Sequence, residues 1–372
     1  MAQSRRLISP WMVVLVLCVV YAAVVIVKNG GDAKALVTIG TRFSEGIPAE
    51  EDGSEGYDGQ FNYYIARDPD NAASLIDVPA YRFQRILFPA MGRAVALGQE
   101  ALIPWAFLVI NLVALGVGTW LLERMLAEMG VSRWYALSYG LTLGVFGSVR
   151  LSLSEPLAYG LVIGAIWLGR RERWVWCAVM LGLAGLAKET TLFFVGGYGL
   201  YLLYRRAWKE AALVVGVPGV VFGVWQVVLR ERLGSFGIGS GGAQATSFEL
   251  IPFAGVARIV SEVPAETRLN VLVIFGVILI PFVIVPTLWA LWRCWKDGWA
   301  GKRSAGLFLL LVTAGIMPFV PFSTYREPIG ILRFIVGLQI AVILYAAETR
   351  NRRVLFRSTL WIATLVFLVS LL

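Results

Sequence analysis

The chain has 372 residues, of which 58% are hydrophobic and only 15% charged, with a mean hydropathy of +0.73. Soluble domains carry about 25% charged residues, so these values exclude an ordinary soluble protein. Its net charge of +9 comes without a single histidine, which excludes a histidine base, a histidine metal ligand and a Ser-His-Asp triad.

Long unbroken apolar runs, rather than short alternating segments, argue against a β-barrel and predict an all-α polytopic membrane protein. A helix of about 20 apolar residues spans a bilayer core. Runs of this kind fall at 8–27, 102–122, 134–149, 152–169, 174–187, 190–204, 211–229, 270–292, 304–322, 329–347 and 358–372. They predict about eleven transmembrane helices in one domain over 1–372. The first run has the length of a retained helix rather than of a signal-peptide core, although Ala33-Lys34-Ala35 resembles a weak cleavage site. Cys18, Cys177 and Cys294 lie in or beside different runs without CxxC or metal spacing, and read as packing residues.

The connections carry the orientation. Arg5 and Arg6, Arg124 and Arg133, Arg170, Arg171 and Arg173, Arg205, Arg206 and Lys209, Arg293, Lys296, Lys302 and Arg303, and Arg350, Arg352, Arg353 and Arg357 fall on alternate connections, 18 of the 33 basic residues. By the positive-inside rule this places the N-terminus in the cytoplasm and the C-terminus outside a cell (inner or plasma) membrane. The positive charge is thereby a topology signal and implies no nucleic acid.

Two large connections remain for the external side. The first, over 28–101, has ten acids against three bases between 29 and 80 and is expected to hold interfacial helices. The second covers 230–269. Its Gly237, Gly239 and Gly242 formally match GxGxxG, but no βαβ context surrounds them. That loop reads equally as a flap over a site or as a plain linker. Pro218, Pro281, Pro286 and Pro318 mark places where helices could break.

Chemistry concentrates in the first loop, where GYDGQFNYYIARDP over 56–69 precedes YRFQRILFP over 81–89. Asp58 would stand at the start of a helix over 60–67 whose aromatics, Phe61, Tyr63 and Tyr64, lay it along the membrane interface. It reads as a functional carboxylate or as the cap of that helix, with Gly59 easing the turn. Arg82 and Arg85 share a helix face, because residues three apart are neighbours there. Two guanidiniums on one face match phosphate oxygens; pairing with Asp68, Asp70, Asp77 or lipid headgroups is the other reading. The segment 86–98 is short for a crossing and is expected to dip into the interface.

Glu155 in Ser154-Glu155-Pro156, the Lys188-Glu189 hairpin tip, Arg326-Glu327-Pro328 and Arg333 all fall on the same external side as Asp58. Ordinary interfacial pairs, such as Lys188 with Glu189 and Arg326 with Glu327, are the alternative.

Together these features resemble the GT-C superfamily of integral-membrane glycosyltransferases. Tyr57-Asp58, Phe61, Tyr63, Tyr64, Ile65-Ala66 and Phe88-Pro89 are similar to the pattern of the PIG-V-like mannosyltransferases. A looser similarity, in YDGQFYY-like and YRxQRILYP-like segments, links the chain to a group of bacterial membrane proteins. There is no acidic DxD pair in the loop, and the Lys188 position is more often arginine in that pattern.

The resemblance implies a polyprenyl-phosphate sugar donor, a lipid, glycan or protein acceptor, and an extracytoplasmic active site. It makes Asp58 the general base. Tyr57, Gln60, Tyr64, Arg82, Arg85, Glu155, Lys188, Glu189, Arg326 and Arg333 are the expected substrate contacts. Among them the cations would hold the leaving phosphate, and Glu155 and Glu189 would orient those cations. No cofactor is required; a divalent metal is compatible with the acid-rich loop but not demanded. A lipid or solute transporter and a non-catalytic membrane subunit are the alternatives. A transporter would place polar groups near mid-membrane, often on inverted repeats; no repeat is evident.

Overall fold

The computed structural model describes residues 8–241, 246–262, 266 and 268–371. Arg5, Arg6 and Gly242 lie outside them. Every regular element among the described residues is helical.

Four helices are long and apolar enough to cross a membrane: Pro10–Lys28, Glu100–Glu128, Trp208–Leu233 and Phe275–Trp299. A fifth candidate is the pair Pro328–Phe334 and Val336–Glu348, bent by 42°. Glu155–Gly169, Trp174–Ala187 and Ala305–Phe319 are shorter apolar helices. They belong to the packed interior, where Leu181, Leu310 and Ile343 are buried in one large core.

The prolines act unequally. Pro218 sits inside the continuous Trp208–Leu233 helix. Pro281 coincides with a π-helical turn over Ile280–Ile284, and Pro286 opens the helix Val285–Trp299. Pro318 lies in the 3₁₀ turn Met317–Phe319 that ends the preceding helix. Pro281, Pro286 and Pro318 thus stand where a helix begins or ends or where the ladder already changes register, whereas Pro218 removes one bond from the interior of its helix.

The 134–149 run departs from a single helix. It is broken into Arg133–Ala136, Leu137–Gly140, a π turn over Leu143–Gly147 and Ser148–Arg150. The cause is close packing. A Cβ on Gly144 would lie 2.4 Å from the Leu332 carbonyl oxygen, so the backbone there must stay bare. The freed Leu143 N–H is taken up by Thr364 Oγ1 at 3.0 Å. Residues 138–149 are buried, and irregular backbone is tolerable at membrane depth only under such cover. The 358–372 run forms a 3₁₀ helix over Thr359–Leu371, whose steeper rise of about 2.0 Å per residue covers distance with fewer residues.

The first loop is a compact cap of short helices. Gly59–Arg67 is helical, but Phe61, Tyr63 and Tyr64 do not lay it on a membrane surface. All three are buried in a second core with Phe88, Ile103, Phe107, Ala158 and Leu229. The apolar area available in that core outcompetes the interface. Leu87–Val95 is a nine-residue helix, about 14 Å long and too short to cross.

Candidate active site

Gly59 explains the local sequence around Asp58. A Cβ there would come within 2.0 Å of the Leu151 carbonyl oxygen, so only glycine lets the loop seat against the 151–155 turn. That turn is itself pinned. Asn62 Nδ2 donates to the Ser152 carbonyl at 3.0 Å, Ser152 Oγ to the Leu36 carbonyl at 3.0 Å, and Asn111 Nδ2 to the Leu153 carbonyl at 2.9 Å. Asp58 and Glu155 are thereby fixed on neighbouring supports.

Asp58 precedes the Gly59–Arg67 helix, yet its side chain makes no capping hydrogen bond. Its carboxylate faces two guanidiniums instead. Arg82 Nη1 lies 2.9 Å from Oδ1 and Arg333 Nη1 3.0 Å from Oδ2. Burial by itself would raise the Asp58 pKa. The charges of Arg82, Arg333 and Arg85 more than offset it and hold the carboxyl well below the usual carboxylate range.

The network runs on in both directions. Arg82 also makes a two-point bond to Asp77, Nε to Oδ1 at 2.9 Å and Nη2 to Oδ2 at 2.7 Å, and lies over the Phe61 ring. Arg85 grips Glu189 in the same way, at 2.8 and 2.6 Å, and donates to Tyr81 Oη at 2.8 Å. Burial would raise the Glu189 pKa, but the Arg85 charge and its hydrogen bonds lower it to about 2. Arg333 Nε and Lys188 Nζ each donate to Glu155 Oε1 at 2.7 Å, and Ser148 Oγ donates to Oε2 at 3.2 Å. Tyr57 accepts from Arg333 Nη1 at 3.1 Å and donates its hydroxyl to Glu327. Burial pushes the Glu327 pKa up, with the Arg333 charge offsetting part of the rise.

Four cations, Arg82, Arg85, Lys188 and Arg333, thus pair with four acids, Asp58, Asp77, Glu155 and Glu189, and Glu327 joins them through Tyr57. Of these, Asp58, Arg82, Arg85 and Arg333 line a small cleft together with Asn62 and Ser154. Preorganised guanidiniums of this kind suit a phosphate or a developing anion, and a carboxylate among them can take a proton. Among the described residues no group of three or more Asp, Glu or Cys side chains has metal-binding geometry.

The structure thus brings together Tyr57, Asp58, Arg82, Arg85, Glu155, Lys188, Glu189 and Arg333 from the expected set. It leaves three outside. Gln60 is a tie within the loop, its amide donating to the Glu55 carbonyl and accepting from Gly40 N–H. Tyr64 is buried in the second core, with Arg67 over its ring at 5.5 Å. Arg326 is exposed and lies over Phe322.

Lys188 and Glu189 do not pair with each other: each bonds a different helix end. Asp77 joins the cluster as the partner of Arg82, one of the pairings that the sequence allows beside phosphate binding, and Glu327 joins it through Tyr57. Glu327 carried one readable signal, the acid-proline step at a helix start that it shares with Glu155.

The second loop touches this region at two places. A Cβ on Gly237 would meet Gln84, and Phe248 packs on Phe193 and Phe334, the neighbour of Arg333, at 6.4 Å between ring centres.

An all-helical fold with several apolar helices and a charged cluster at their ends defines an integral membrane protein whose site suits group transfer to or from an anionic substrate. The family model of glycosyltransferase family 87 matches residues 93–321, more than half of the chain. The chain belongs to that family, one of the GT-C type, and is a membrane glycosyltransferase. The match takes in Glu155, Lys188 and Glu189 and begins after Asp58, Arg82 and Arg85. No curated protein and no solved structure matches the chain.

Proposed function

We propose that the chain moves a sugar from a polyprenyl-phosphate donor to an acceptor hydroxyl, with Asp58 as general base. Arg82, Arg85, Lys188 and Arg333 hold the leaving phosphate. The observation that carries this reading is the sharing of one carboxylate, Asp58, between two arginines brought from distant segments to the edge of a cleft.

In this reading the donor phosphate takes over guanidinium donors that Asp58, Asp77 and Glu189 now occupy. Asp58 then loses the charges that depress its pKa and becomes a better proton acceptor. It takes the acceptor hydroxyl's proton as the acceptor oxygen bonds to the anomeric carbon. The bond from that carbon to the phosphate oxygen breaks, and its electron pair leaves with the polyprenyl phosphate. The four cations stabilise the charge that develops there. They serve the purpose without a metal or cofactor. Glu155 and Glu189 keep Lys188, Arg333 and Arg85 aimed at the cleft.

The same reading places the cluster on the extracytoplasmic side of a cell membrane, in line with the arginine-rich turns at the opposite helix ends. It takes the chain across the bilayer about eleven times, with the 133–150 stretch and the bent 328–348 pair each counted as one passage. The acceptor is a lipid, glycan or protein hydroxyl, and residues 28–101 form the catalytic loop.

A transfer assay tests this. Purified protein and the Asp58→Asn variant are given polyprenyl-phosphate sugars and nucleotide sugars in parallel, with products read by mass spectrometry. Transfer or donor hydrolysis from a polyprenyl-phosphate sugar alone, lost in the variant, is expected. Use of nucleotide sugars alone would overturn the donor assignment, and full activity in Asp58→Asn would overturn the base.

A further inference from the structure

A second cavity, of about 340 Å³, lies at the other end of the helices from Asp58. One wall is Gly169 and Arg170, at the far end of the 15-residue helix that begins at Glu155, about 22 Å along its axis. Another is Leu344 and Glu348, at the far end of the helix that follows Arg333. Tyr198, Leu309 and Leu344 give the cavity an apolar interior, while Arg170, Arg205 and Ser304 stand at its polar side.

The lining itself carries two arginines, Arg170 and Arg205, and two acids, Glu172 and Glu348; the excess of positive charge lies in the turns beside it. The turn Arg170-Arg171-Glu172-Arg173 and the pair Arg205-Arg206 flank the cavity, and Arg303 lies over Tyr204 beside it. Of the acids, Glu348 is already engaged, accepting from Arg170 Nη1 at 3.3 Å and from Ser304 Oγ at 2.9 Å. Arg205 bonds the Tyr201 hydroxyl at 3.2 Å and keeps the rest of its exposed fork. A pocket between membrane helices with an apolar floor and a guanidinium rim fits a phosphate carried on an acyl chain.

We infer that this cavity binds an anionic phospholipid of the leaflet opposite the catalytic cluster. The phosphate lies between Arg170 and Arg205, and the first chain methylenes lie on Tyr198, Leu309 and Leu344. None of these residues belongs to the transfer machinery, so the inference stands apart from the donor assignment.

Native mass spectrometry of the full chain tests it, with detergent micelles holding phosphatidylglycerol, phosphatidylcholine or inorganic phosphate. Retention of phosphatidylglycerol over phosphatidylcholine is expected. Arg205→Glu should weaken it about tenfold, the loss of one charge-assisted hydrogen bond, while Arg205→Lys keeps most of it. Arg353→Glu, an exposed charge outside the cavity, controls for general attraction to anionic lipid. Equal weakening by Arg353→Glu would overturn the site. Undiminished retention in Arg205→Glu would do the same. Displacement of the lipid by an equal concentration of inorganic phosphate would assign the cavity to soluble phosphate and overturn the lipid.

Discussion

Two of the places where the chain buries charge are built differently. At the loop end, Asp58, Arg82, Lys188 and Arg333 come from four distant segments, and Asp58 keeps 29% of its side chain exposed at a cleft. At the other end, Asp297 is 3% exposed and pairs with Arg293, one helical turn away, at 2.6 Å, while accepting the Tyr345 hydroxyl. An i,i+4 pair follows from helix geometry and needs no other explanation than packing. A cluster that draws in so many segments and leaves its central carboxylate open to a cleft does more than packing needs, and such sites are where chemistry concentrates. Burial of charge alone therefore does not mark function; provenance and access do.

The largest test of that contrast is paired. Asp58→Asn should lower transfer by about a hundred- to ten-thousand-fold, the usual weight of a general base, with the fold kept because Arg82 retains Asp77 and Arg333 retains Glu155. Asp297→Asn should leave turnover per folded molecule unchanged in the same assay. Equal losses in the two variants would erase the distinction.

Next is Glu155→Gln. It strips Lys188 and Arg333 of a buried carboxylate that both share, and should cost about 3–5 kcal/mol of stability in a denaturation series. Wild-type stability would mean that both cations find other acids in the cluster.

Arg85→Lys keeps the charge but loses the two-point grip on Glu189 and the contact with Tyr81. The KM for the donor should rise about tenfold with a smaller change in kcat, which steady-state kinetics would resolve. An unchanged KM would remove Arg85 from phosphate binding.

The smallest effect concerns pH. The folded-state pKa of Asp58 is depressed, so its contribution to stability is complete above the unfolded value of about 3.9 and is lost as pH falls toward the folded value. The difference in melting temperature between wild type and Asp58→Asn should stay flat from pH 8 to 5 and shrink below about pH 4. Shrinkage already near pH 6 would mean that the arginines do not hold the carboxylate as described.

Much of the helix plan was legible because apolar runs report membrane-length burial one residue at a time. The breaks inside those runs were not, since Gly144 gives way to Leu332, almost two hundred residues on. The aromatic face of 59–67 could be read as amphipathic but not assigned a partner. An interface and a protein core present the same apolar requirement to Phe61, Tyr63 and Tyr64. Gln60 and Tyr64 looked like site residues because they share the motif with Asp58, yet a helix turns about 100° per residue and carries them to other faces.

By itself the sequence determined that the chain belongs in a membrane, that it is helical, and that Asp58, Glu155, Lys188 and Arg333 sit near helix ends. Each of those properties is local, set by the transfer energy of a side chain and its place in a run. Only the tertiary structure decided that Arg333 meets Asp58 across 275 positions of chain, that Lys188 chooses Glu155 over its neighbour, and that Glu327 reaches Tyr57. Ion pairs are short-range and pairwise, so their partners are chosen by how helices pack and not by the order of residues along the chain.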